Sequence, residues 1–151
     1  MCMTRRIDDV DMKILRLLSE NARYTYKELA EKLGTTRQRV SRRMDKLEKS
    51  GVIIKYTLIP DLNKLNHVHV ILGLTLRPTV DLDEVVEQLK SIDYVKIIEK
   101  TLGSHSLVIH LVGPNDMALT EKMIRSIAKE IQGIDKMDIT FVTEICKFEV
   151  I

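Results

Sequence analysis

The chain has 151 residues, is 44% hydrophobic and 30% charged, and carries a net charge of +2. That content excludes a disordered chain and fits one or two small globular domains. The longest apolar run, Val70 to Leu76, falls far short of the ~20 residues of a membrane-spanning helix. No N-terminal apolar stretch resembles a signal peptide. Cys2 and Cys146 are the only cysteines, so a disulfide framework is not expected, and a reducing cytoplasm is the expected compartment.

Charge is unevenly spread. Residues 1–60 carry 14 Lys/Arg against 8 Asp/Glu, whereas residues 61–151 carry 10 against 14. A basic N-terminal part joined to an acidic C-terminal part suggests one polyanion-binding domain and one domain with another task.

In chain order, Asp8-Asp-Val-Asp11 reads as a helix start with Asp8 as N-cap and acids in the first turn. Val10, Ile14, Leu17 and Leu18 mark its apolar face, and the helix ends near Asn21. Thr25-Tyr-Lys-Glu28 is a capping box that opens a short second helix, which stops at Gly34. Thr35 or Thr36 then caps a third helix running to about Ser50-Gly51. A short helix, a tight turn and a basic helix make a helix-turn-helix. The β-branched stretch Val52–Ile59 reads as a strand leaving it, part of a wing.

The third helix carries the chemistry. Val40, Met44 and Leu47 share one inward face. Around it lie four arginines within seven positions, Arg37 to Arg43. Arg makes two contacts to guanine and Gln two to adenine in the major groove. Thr36, Arg37, Gln38, Arg39, Ser41 and Arg42 are therefore the candidates for contact with double-stranded DNA. Arg43 sits only ~60° from the apolar stripe and is expected to be structural, bonding a first-helix acid such as Asp11. Lys46 and Lys49 are expected at most to touch phosphates.

Residues 61–66 form a polar connector between residues 1–60 and residues 67–151. Strands are expected over 67–77, 94–101, 107–112, 136–143 and 146–151. Helices are expected around Leu82–Leu89 and Met117–Ile131. The order βαββαβ is that of the ferredoxin-like fold, an antiparallel sheet with both helices on one face. The expected class is thus α+β, a winged helix-turn-helix joined to a ferredoxin-like domain. Val68, Val70, Leu72, Leu74 and Leu76 form one face of the first strand. The opposite sheet face, with Ile71, Val108 and Val112, is also apolar, which points to a homodimer joined sheet to sheet.

His67, His69 and His110 can share a sheet face, but a metal site needs three or four ligands at matched geometry; they are expected to be interface histidines, and no metal is expected. No P-loop, dinucleotide fingerprint, nucleophile elbow or metal-hydrolase helix occurs, and no cofactor or enzymatic activity is expected.

Ile7-Asp8-x-x-Asp11-x-Lys13-Ile14-Leu15, Asn21-Ala22-Arg23, Glu28-Leu29-Ala30, Leu33-Gly34-x-Thr36-x-x-x-Val40-x-x-Arg43 and Leu47-Glu48-x-x-Gly51-Val52-Ile53 together resemble the opening of the Lrp/AsnC (leucine-responsive, feast/famine) regulators. The resemblance covers nearly the whole chain. It implies a cytoplasmic prokaryotic transcription regulator that assembles as dimers, often as octamers. It also implies a small effector, commonly an amino acid, bound between dimers near Thr101–Leu107. The candidate effector residues are then Gly103, Ser104, His105 and Ser106. Ser106 stands where the family usually has an acid; a carboxylate pairs with an ammonium, whereas a hydroxyl only hydrogen-bonds it. Asn66 replaces a usual Gly and tolerates the same left-handed geometry. Two alternatives stand beside this reading. One is an enzyme resembling sirohaem decarboxylases, the other an oligomeric metabolite-binding module without DNA activity.

Overall fold

The structure, a computed structural model, describes residues 7–151; Cys2 lies outside them. Two compact units divide the chain, one comprising residues up to Ile59 with Lys147–Ile151, the other Pro60–Cys146.

The first unit holds three helices, α1 (Asp9–Glu20), α2 (Tyr26–Leu33) and α3 (Arg37–Lys49). Each begins at a residue that satisfies otherwise orphaned backbone N–H groups. The Asp8 carboxylate accepts from the N–H of Val10 and Asp11, and Thr25 and Glu28 close a reciprocal capping box. Thr36, rather than Thr35, caps α3 by accepting from the N–H of Arg39 at 3.3 Å. Ile14, Leu29, Val40, Met44 and Leu47 form the core, with Leu18 and Leu33 packed at its margin.

The second unit runs β1 (His67–Leu76), α4 (Leu82–Lys90), β2 (Val95–Lys100), β3 (Leu107–Pro114), α5 (Met117–Glu130) and β4 (Ile134–Val142). The sheet order is β2-β3-β1-β4 with every pair antiparallel, the ferredoxin-like arrangement. Alternation along each strand sends Val70, Leu72, Leu74, Leu107, Ile109 and Leu111 to one face, all fully buried against Val85 and Leu89 of α4 and Ile127 of α5. Burying each such side chain contributes ~1.5–3 kcal/mol. His69, Ile71, Val108, His110 and Val112 fall on the opposite face and are half-buried.

Two expected strands do not form. Residues 54–61 and 143–151 join no ladder, and Gly51–Ile53 are turn and bend. A strand exists only where a neighbouring backbone takes its N–H and C=O groups. Neither segment finds one, and Ile54 (93% exposed), Leu58 (75%) and Val150 (74%) keep their apolar side chains in solvent. The connector does form turns: the N–H of His67 reaches the carbonyl of Leu62 at 2.9 Å. Asn66 takes the left-handed conformation there, at φ 53°. Among the described residues no helix is long and apolar enough to cross a membrane.

Candidate nucleic-acid interface

The turn between α2 and α3 is set by Gly34 at φ 61°, a backbone region that favours glycine. Its N–H meets the carbonyls at the end of α2, and the N–H of Thr35 reaches the Ala30 carbonyl at 2.9 Å. This tight reversal aims α3 outward while Val40, Met44 and Leu47 anchor its inner side. Thr36, Arg37, Gln38, Arg39 and Arg42 are exposed and Ser41 is half-exposed. The candidates therefore lie on one accessible helix surface, with the Thr36 hydroxyl already engaged as the cap.

Arg43 does not join that surface. Its guanidinium donates to the Asp8 carboxylate at 2.7 Å and to Asp11 Oδ1 at 2.8 Å. Lys46, expected at most to touch phosphates, instead reaches Asp11 Oδ2 at 2.5 Å. Asp11 is completely buried. Burial pushes its pKa up, but the hydrogen bonds from Lys46 and Arg43 outweigh this and hold it below the usual carboxylate range. The Arg43 hydrogen bond and the backbone N–H of Asp11 hold Asp8 down at about 2. One sequence signal does point to this pair of ions: Asp11 precedes Ile14 by three residues, so it sits on the buried stripe of α1, where a charge requires partners.

Arg39, Arg42, Arg43 and Lys46 line a cleft of about 710 Å³ with Thr35 and Asp8. On the other side, the Tyr56 hydroxyl donates to Glu48 Oε1 at 2.7 Å, fastening the segment after α3 to that helix. Burial and the Glu48 carboxylate push the Tyr56 pKa up.

The turn Thr101–Leu107 is tied to the end of β1. The Thr75 hydroxyl donates to the Ser104 carbonyl at 3.0 Å, and the N–H of Ser106 to the Leu74 carbonyl at 2.8 Å. Ser106 Oγ accepts from the N–H of Leu76 at 3.1 Å, so one of its lone pairs serves the fold while its proton remains free to donate. Gly103 takes φ 145°, and Gly103 and Ser104 are exposed. His105 turns back over the sheet, its Nε2 3.6 Å from Asp138.

Of the three histidines named above, two meet and the third bonds a backbone carbonyl. His69 Nε2 and His110 Nδ1 lie 2.9 Å apart, while His67 Nδ1 contacts the carbonyl of Leu65.

A helix-turn-helix whose second helix presents an exposed arginine surface is the architecture of a DNA-binding domain. Comparison with known proteins agrees. Residues 7–54 match the winged helix-turn-helix DNA-binding family. The chain is 43% identical to an uncharacterised HTH-type transcriptional regulator, PF2053 of Pyrococcus furiosus, over 97% of this chain and 99% of that one. It is 32% identical to the regulatory protein AsnC of Haemophilus influenzae, over 89% and 87% of the two chains. The solved structure of PH0061, from Pyrococcus horikoshii, superposes with a TM-score of 0.90 at 39% identity, covering 97% of this chain and 99% of that one. The chain belongs to the Lrp/AsnC family and is a DNA-binding transcriptional regulator. Its relatives are named as regulators, which sets aside both the sirohaem-decarboxylase reading and a module without DNA activity.

Proposed function

We propose that this regulator reads a roughly palindromic duplex site in the major groove through Thr36, Arg37, Gln38, Arg39, Ser41 and Arg42. The observation that carries this reading is the exposure of Arg37, Gln38, Arg39 and Arg42 together on α3 while Arg43 is drawn away into ion pairs. Two copies join through the sheet face bearing Ile71, Val108 and Val112, where Ile97 is also 46% exposed. A two-fold dimer then sets two recognition helices on half-sites separated by whole helical turns.

In this proposal the second unit senses a small metabolite, such as an amino acid, bound between dimers at Gly103, Ser104, His105 and Ser106. With Ser106 in place of a carboxylate, the ligand is held by hydrogen bonds rather than by an ion pair at that position. It shifts the regulator by binding one assembly, dimer or octamer, better than the other. The protein works in the cytoplasm, needs no cofactor and does not engage a membrane.

Selection of binding sites from a random duplex library, with the full chain and with Arg39→Ala/Arg42→Ala, tests the reading. A palindrome enriched by the unaltered protein and lost in the variant is expected. Enrichment that survives both substitutions would overturn the assignment of this helix surface.

A further inference from the structure

The basic cleft beside α3 contains four cations but two of them are already spoken for. Arg43 and Lys46 stand on the same flank as Arg39 and Arg42. Both are only partly accessible, with side chains 31% and 24% exposed, and both meet carboxylates at ion-pair distance. The carboxylates come from a different helix: Asp8 caps α1 and Asp11 lies in its first turn. Although Asp8 is half exposed, Asp11 is fully buried, and a charge-assisted hydrogen bond donated to a buried carboxylate is strong and poorly screened by salt. It therefore competes well against a solvated DNA phosphate for the same cation.

We propose that Asp8 and Asp11 set the DNA specificity of this regulator by holding Arg43 and Lys46 away from the phosphate backbone. The proposal rests on the reading that α3 docks on DNA through Arg39 and Arg42. Phosphate contacts add affinity for every sequence alike, whereas base contacts separate one site from another. A helix with four free cations on one flank would grip arbitrary duplex tightly. Withdrawing two of them lowers that background and leaves discrimination to the exposed arginines and Gln38. The same ion pairs fix the azimuth of α3 against α1, so Asp8 and Asp11 act as positioning residues for the DNA contacts.

The test measures binding of the full-length protein to its selected palindrome and to a scrambled duplex, from 50 to 200 mM salt. Asp8→Asn keeps a good helix cap, since Asn caps as well as Asp, and removes one charge from Arg43. Asp11→Asn removes the shared acceptor charge. Both variants are expected to bind scrambled duplex more tightly than the unaltered protein. Each should steepen the salt slope by about one per cation released, about a 3.5-fold greater loss across that range. Lys46→Gln alone should leave both slopes unchanged, and Asp11→Asn/Lys46→Gln should undo the part of the gain that Lys46 supplied. A slope lowered by Lys46→Gln alone, or scrambled binding unaltered in folded Asp8→Asn, would overturn the proposal. A merely structural role would weaken both duplexes without steepening either slope, and that result also counts against it. Binding indifferent to Arg39→Ala/Arg42→Ala would instead fault the docking surface itself.

Discussion

The imidazole of His105 lies against the backbone of Gly73: a Cβ at residue 73 would stand 2.6 Å from its Nε2. Gly73 is the one position of β1 without a side chain on the open sheet face, and the ring of the turn residue fills that space. Gly73→Ala is expected to expel the ring and cost about 1–3 kcal/mol, the usual penalty for overpacking. In a His105→Ala background the same change should cost little. Urea unfolding of the two single variants and the double variant would measure this coupling.

Ser106 gives a second expectation. Its hydroxyl is the acceptor for the half-buried N–H of Leu76, next to the β1/β4 register shift at Thr75/Leu76. Ser106→Ala removes that acceptor and should destabilise the protein by about 1–2 kcal/mol, with Ser106→Thr retaining most of the stability. Equal midpoints for Ser106→Ala and the unaltered protein in chemical denaturation would contradict the assignment.

His69, whose ring meets that of His110, makes stability depend on pH. Burial, and then the neighbouring His110, hold the His69 pKa below its ordinary 6.5. The unfolded chain therefore binds a proton more readily than the folded one between the two values. The stabilisation is fully present above pH 6.5 and is lost as pH falls through the lower, folded value. Thermal melting between pH 8 and pH 5 should show this loss, and His69→Gln should flatten it.

Asn66 occupies a left-handed conformation at φ 53° that most side chains resist. Asn66→Ala is expected to cost about 1 kcal/mol, whereas Asn66→Gly should be close to neutral on backbone grounds. The Asn66 carbonyl also accepts from the N–H of Asn115 at 3.0 Å, a backbone contact that both variants keep. A comparison of their melting temperatures separates the dihedral cost from the loss of the side chain.

The sequence by itself determined the helices of the first unit and the inward face of the sheet. Their signals are local: Asp8 and Thr25 as caps, Gly34 as a stop, Val40, Met44 and Leu47 at helical spacing, and strict alternation from Val68 to Leu76. Each depends on residues a few positions apart, so periodicity and capping chemistry suffice to place them. The pairing of Arg43 with a first-helix acid such as Asp11 was legible as well, because Arg43 lies only ~60° from the apolar stripe of its helix.

Tertiary structure alone decided the rest. Whether Val52–Ile59 and Cys146–Ile151 become strands depends on a distant backbone to pair with, and alternation cannot reveal its absence. Ile139 and Phe141 share the register of Leu72 and Val70 yet stay 48% and 42% exposed. They sit on an edge strand, and edge position is a property of sheet order rather than of local pattern. Lys46 was expected at most to touch phosphates, and only the packing of α1 brings Asp11 within 2.5 Å of it; His105 meets Gly73 only because a turn folds back over the first strand. Such contacts join residues more than 30 positions apart, where chain geometry, not residue spacing, sets who meets whom.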